Sequence, residues 1–217
     1  MKNKILIFGG LLLIAAALCL GAYNLWDAHR AEVSVEIILQ EMPVVTPSPA
    51  PAPKPSPAGP ESTEVPPEET EPLPEYVLNP DMEMPVVKIK GQDYIGTLEI
   101  PSLEISLPIM SEWSYPKMKI SPCRYQGSAY LDNLIICAHN YKAHFGHLKE
   151  LQPGDSVFFT DAAGNVFAYS VKETEVLAPT DIEGMVSGDW DLTMFTCTIG
   201  GKSRVTVRCD RLEAPEE

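Results

Sequence analysis

Positive charge is scarce in this chain, where 16 Lys and Arg stand against 30 Asp and Glu for a formal net charge of −14. Nucleic-acid binding needs clustered cations to displace phosphate counterions, so this balance excludes a nucleic-acid partner. Metal-site patterns are missing as well: there is no Cys-x-x-Cys pair, no His-Glu-x-x-His run and no EF-hand spacing. Cysteine is sparse, with five residues at 19, 123, 137, 197 and 209. An odd count leaves at least one thiol free, and the spacing resembles no disulfide framework. Cys19 lies in an apolar run, Cys137 and Cys209 fall in short apolar stretches that suit small buried hydrophobes, and Cys123 is the remaining disulfide candidate.

Only one long hydrophobic run occurs, residues 5–26, with 22 residues free of formal charge. At ~1.5 Å per residue it is about 33 Å long, enough to cross a hydrocarbon layer of ~30 Å. Lys2 and Lys4 precede it and Asp27 follows, so the positive-inside rule puts the N-terminus in the cytoplasm and the remainder outside the cell. Tyr23 and Trp26 suit the outer interface. A cleaved secretory signal is the alternative, but its apolar region usually has only ~7 to 15 residues, and Leu20-Gly21-Ala22 is a poor cleavage pattern. Residues 1–30 therefore read as a transmembrane anchor, 31–85 as an extracellular Pro/Glu-rich linker and 86–217 as the folded domain. Twelve of the 33 residues from 42 to 74 are proline, which denies that stretch helix donors and a core. Its acids, Glu61, Glu64, Glu68, Glu69 and Glu71, should extend it as a stalk, a simpler role outside a membrane than that of a PxxP ligand.

Beyond Pro85 come short apolar runs rich in β-branched and aromatic residues, bounded by Gly, Pro, Asn and Asp. These predict strands over 95–100, 105–109, 133–139, 156–160, 166–177, 192–197 and 204–211, and so a small antiparallel or mixed β-barrel. Phe145, Leu148 and Leu151 recur at helical spacing and predict a short helix over 144–151, before Pro153-Gly154. The last two strands flank a connection holding Gly200-Gly201. Pairing Cys197 with Arg204 puts Leu192, Met194, Thr196, Val205, Val207 and Cys209 on one face, with Thr193, Phe195, Cys197, Arg204, Thr206 and Arg208 on the other. A slip by one residue would place both arginines among the apolar side chains.

A cysteine at a strand end opposite an arginine is an unusual setting for a structural thiol. The cation favours thiolate and can hold a developing oxyanion. His139, at the end of its own strand, is the candidate donor of a proton to a leaving amine. Against this stands the ordinary alternative of a buried cysteine with a surface histidine and arginine.

Four ordered motifs carry a family resemblance. Thr193-Met194-Phe195-Thr196-Cys197 resembles the sortase TLxTC signature, with Met194 in place of Leu. Ala138-His139-Asn140, followed by Phe145-Gly146, Leu148, Leu151 and Gly154-Asp155, is similar to that family's histidine block. The stretch 95–109, IGTLEIPSLEISLPI, resembles its opening strands, and Arg204 stands where its catalytic arginine begins the final strand. The resemblance implies an eight-stranded sortase-type β-barrel and a two-step acyl transfer on an L-P-x-T-G-like sorting motif at the C-terminus of surface proteins. Cys197 would attack the Thr-Gly carbonyl, His139 protonate the leaving amine and Arg204 steady the oxyanion. Thr196 and Thr193 would bind substrate, and an amine such as a peptidoglycan precursor would resolve the thioester. Wall anchoring is expected over pilin polymerisation, because no second membrane segment precedes Glu217.

No cofactor is expected. The rival metal readings are zinc at Cys137, His139, His144 and His147, and calcium, as in some sortases, among Asp181, Glu183, Asp189, Asp191, Glu173 and Glu175. The spacing of these acids suits solvated surface better.

Overall fold

The computed structural model describes residues 2–43 and 73–212, so most of the proline-rich stalk expected over 42–74 lies outside the described residues. Along the chain come α1 (Lys2–Glu41), α2 (Glu75–Leu78), β1 (Val87–Ile89), β2 (Gln92–Ile100), β3 (Ile105–Met110), α3 (Tyr115–Met118), β4 (Cys123–Gln126) and β5 (Leu134–Ala138). They are followed by β6 (Ser156–Asp161), β7 (Val166–Leu177), α4 (Ile182–Val186), β8 (Leu192–Cys197) and β9 (Arg204–Arg211).

The strand order is β1-β2-β3-β4-β5-β8-β9-β7-β6, and β6 pairs back onto β2. Eight strands thus close into a barrel, while β1 adds a short rung to the first part of β2. Closure depends on Gly96, where β2 shifts register after Tyr94. A Cβ there would lie 2.0 Å from the Thr160 carbonyl oxygen, so no other residue would let β6 approach. Alternation along the strands sends Val157, Phe159, Phe167, Tyr169, Leu192, Met194 and Val207 into the interior. Each such side chain contributes about 1.5–3 kcal/mol on full burial. β5 is buried on both faces, because its outer residue Cys137 joins a second cluster with Cys123, Tyr94, Met110, Ile89 and Ile38 of α1.

Three expectations need correction. The expected anchor boundary at residue 30 is not a structural one, since α1 continues to Glu41 with Asp27, Ala31, Val35 and Ile38 buried against the barrel. These residues recur every three or four positions, and neither Gly nor Pro occurs between Gly21 and Pro43. Packing also resumes before residue 85: Tyr76 stacks on Tyr130 with centroids 4.7 Å apart, and Met84 is buried in the core. The segment 144–151 is not an α-helix but a series of turns ending in the 3-10 turn Leu148–Glu150. Phe145, Leu148 and Leu151 are nevertheless buried as their spacing suggested. The chain folds back instead of coiling, because the Phe145 amide donates to the His139 carbonyl and the Gly146 amide to that of Tyr141. A Cβ at 146 would lie 2.7 Å from the Tyr141 oxygen, so this return also needs glycine.

Candidate active site

β5 and β8 run parallel and in register, their last pair being Ala138 with Thr196. The next residues, His139 and Cys197, therefore leave the barrel side by side. On its other flank β8 pairs antiparallel with β9, and Cys197 is the direct partner of Arg204. At ~4.8 Å between neighbouring strands, the backbones of His139, Cys197 and Arg204 span about 10 Å of one barrel rim, with Cys197 in the middle. The register over all six pairs, from Leu192 with Cys209 to Cys197 with Arg204, is the one expected from the side-chain pattern.

These three residues line a cleft of about 300 Å³. One wall is aromatic: Tyr125 meets Phe195 edge to face at 5.3 Å, and Trp113 packs on Tyr125 at 5.5 Å. The other wall is the connection from β7 to β8, which brings Ala178, Pro179, Ile182 and Met185. Apolar walls around a few convergent polar groups are the usual build of a ligand site. Sequence reasoning missed Trp113, Tyr115 and Tyr125, since β4 is only four residues long and its partner β3 meets it through a single parallel pair.

Cys197 is partly exposed at the cleft, whereas burial pushes the Cys123 and Cys209 thiols up to about 12, raises that of Cys137 as well, and keeps all three protonated. All five cysteines are free, and Cys123 faces Cys137 across β4 and β5. Arg204 turns Nη1 towards its own hairpin, donating to the carbonyls of Ser203 at 3.2 Å and Gly201 at 3.4 Å. Burial, reinforced by Lys119 and opposed by Asp27, holds the His139 imidazole below its ordinary range. Its Nε2 is buried without a hydrogen-bond partner.

Thr196 and Thr193, expected to bind substrate, lie elsewhere. Thr196 points to the opposite face of β8 from Cys197, and its hydroxyl donates to the Ala138 carbonyl at 2.9 Å, tying the ends of β5 and β8 together. Thr193 is buried beneath Arg208, whose Nη1 donates to its hydroxyl at 3.0 Å, and it lines a separate cavity with Asn133 and Trp190. Among the described residues no three His, Cys, Asp or Glu side chains converge on a common point. His147 faces Glu150 at 2.8 Å, and His144 is buried at 1% exposure. Of the acids considered for calcium, Asp181 caps α4, Asp191 accepts the Arg211 amide and Glu175 pairs with Arg208.

Known proteins of similar fold are sortases. They include sortase A from Corynebacterium diphtheriae, with 20% identity, a TM-score of 0.52, and coverage of 57% of this chain and 63% of that one. Sortase C-3 from Streptococcus pneumoniae has 25% identity, a TM-score of 0.51, and coverage of 58% and 65%. Sortase C from Clostridium perfringens, solved with the C-terminal cell wall sorting motif, has 28% identity, a TM-score of 0.50, and coverage of 57% and 72%. The chain thus spans less than two thirds of the corynebacterial and pneumococcal structures. No curated protein sequence matches it. The sortase domain as a sequence family matches residues 98–212, from the strand that closes the barrel to the end of the last one. Because that match takes in more than half of the 217 residues, the chain belongs to the sortase family.

Proposed function

We propose that this protein is a membrane-anchored cysteine transpeptidase acting on an L-P-x-T-G-like sorting motif of surface proteins. The observation that carries the reading is the in-register ending of β5, β8 and β9, which sets His139, Cys197 and Arg204 abreast at the mouth of one apolar cleft. A Cys197 thiolate would attack the scissile carbonyl, forming the C–S bond while the carbonyl electrons move to oxygen. Arg204, rotated from its hairpin carbonyls, would carry that negative charge. Collapse of the intermediate expels the amine, which takes its proton from His139 and leaves a thioacyl-enzyme. A second amine, a peptidoglycan precursor in this reading, then attacks the thioester, returns a proton to His139 and frees Cys197. The Leu-Pro portion of the motif suits the wall formed by Trp113, Tyr125, Ile182 and Met185.

α1 is long and apolar enough to cross a membrane. The positive-inside rule then leaves the N-terminus in the cytoplasm and the barrel outside. Likeness to two sortase C structures supports a second reading, pilin polymerisation, in which the accepting amine belongs to another protein.

The full chain in detergent micelles, given sorting peptides and candidate amines, should form a thioacyl adduct located on Cys197 by mass spectrometry. Cys197→Ala should abolish adduct and product while leaving the melting curve unchanged. An adduct on Cys123 or Cys209, or transfer by Cys197→Ala, would overturn the assignment. The accepted amine separates wall anchoring from polymerisation.

A further inference from the structure

Tyr141 and Asp27 lie next to His139 but have no part in the transfer just described. The Tyr141 ring stacks on the His139 imidazole, with centroids 4.8 Å apart and planes 28° apart. Its hydroxyl donates to the carboxylate of Asp27, 114 residues earlier in the chain. Asp27 is only 7% exposed and receives Arg30 at 2.7 Å, with Lys119 at 3.9 Å. It is also the first residue beyond the apolar run. The buried Nε2 of His139 has no hydrogen-bond partner, so the usual anchor of a general acid, a group bonded to a ring nitrogen, is missing at that atom. The flat contact with Tyr141 takes that place, and Tyr141 is in turn fixed by α1.

We propose that Tyr141 and Asp27 are positioning residues for His139, so that the helix leaving the membrane completes the active site. This rests on His139 being the proton donor. The link is durable across the working range: burial and the Asp27 anion raise the Tyr141 hydroxyl to about 12, so it remains a donor, and the Tyr141 bond holds Asp27 below its ordinary value, so it remains an acceptor. Around His139 stand Asp27 and Arg30 from α1, Lys119 from the turn before β4, Tyr141 and His144 from its own loop, and Cys197 and Arg204 from β8 and β9. Asp27 is the carboxylate of this set. Its charge opposes burial and Lys119, both of which disfavour the imidazolium that must deliver the proton.

The test uses the full chain in detergent micelles, with kinetics on a soluble sorting peptide and NMR titration of isotope-labelled histidines. Tyr141→Phe keeps the stacked ring but cuts the link, and kcat should fall about tenfold with KM within about twofold. Asp27→Asn should lower kcat to the same extent and move the His139 titration to lower pH, because a nearby anion is lost. The double variant should be no slower than Asp27→Asn alone, as expected of two residues acting through one contact. Ile38→Ala, which loosens α1 away from the cleft, should lower Tm and leave kcat unchanged. Unchanged kcat and His139 titration in Asp27→Asn, or an equal loss of kcat in Ile38→Ala, would overturn the proposal. His139→Gln separates the two levels: if it retains full transfer, the proton-donor assignment itself is wrong and the proposal falls with it. If it is inactive while Asp27→Asn and Tyr141→Phe are normal, only the positioning role is lost.

Discussion

Arg204 and Arg208 project from one face of β9, yet only Arg204 reaches the cleft. Four residues at ~3.3 Å put Arg208 about 13 Å along the strand. There it is 2% exposed, and it donates to the Gly184 and Met185 carbonyls, the Thr193 hydroxyl and the Glu175 carboxylate. These bonds pin α4, whose Ile182 and Met185 form part of the cleft wall. Arg204→Ala should lower kcat/KM by roughly 10²-fold, the scale of a lost charged donor to an oxyanion. Arg204→Lys should recover little, since one ammonium does not reproduce the planar fork. Arg208→Ala should instead cost about 3 kcal/mol of stability by stranding its buried partners, and raise KM while kcat stays within about tenfold. Steady-state kinetics with thermal melts check both, and the reverse ranking would mean that Arg208 is the catalytic cation. His144 gives a separate handle. Burial, then the neighbouring His139, lowers its pKa from 6.5 to about 4. The unfolded chain takes up this proton as pH falls through about 6.5 but the native state does so only near 4, so the stability it contributes is full above 6.5 and is lost between those values, by up to about 3 kcal/mol. His144→Phe should accordingly show a smaller fall in Tm between pH 7 and 4.5 than the unaltered chain, and parallel curves would exclude His144 as the source.

Among the elements, the β8–β9 hairpin was the most legible, because its alternation is nearly complete and a slipped register would have buried two guanidinium groups among aliphatic side chains. Arg208 is buried all the same, on the other face, where α4 roofs it and supplies carbonyl acceptors. Nothing in a strand pattern announces such a roof, since it is built from a loop 23 or 24 residues away. The two central parallel strands were half legible: β5 was visible as an apolar run, but its pairing with β8 comes from barrel closure and has no local signal. That pairing is what brings His139 to Cys197, so in the sequence the pair could be joined only through the family motifs. The segment 144–151 misled because its apolar spacing suits a helix and a folded-back loop equally, and the deciding bonds run to the His139 and Tyr141 carbonyls. Docking of α1 left a readable trace, the stripe of Ala31, Val35, Ile38 and Met42, which runs past the end of the uninterrupted apolar stretch and alternates with Glu32, Glu36 and Glu41.

At the scale of the whole molecule, one continuous helix joins the apolar run to the barrel. α1 carries the apolar run 5–26 and then, without a break, the docking stripe that begins at Asp27 and touches the loop bearing His139. If residues 5–26 fill the bilayer, Asp27 lies at the headgroup level and its contact with Tyr141 keeps the cleft close to the membrane surface, whatever the length of the segment between α1 and α2. A substrate retained in the membrane by its own C-terminal segment would meet the cleft at that height, whereas a free peptide would be indifferent to it. Seven polar helix-forming residues inserted after Trp26 add two turns, about 10 Å, and nearly preserve the helical phase, so α1 should still dock through Asp27, Ala31, Val35 and Ile38. The insertion should leave kcat/KM for a soluble sorting peptide within about twofold and lower transfer from a substrate tethered in the same vesicle by about tenfold or more, the effective concentration at the cleft having dropped. Parallel assays in proteoliposomes decide it. Equal losses on both substrates would mean that the insertion had undocked the helix, and no loss on either would mean that the barrel is not held at a fixed height by α1.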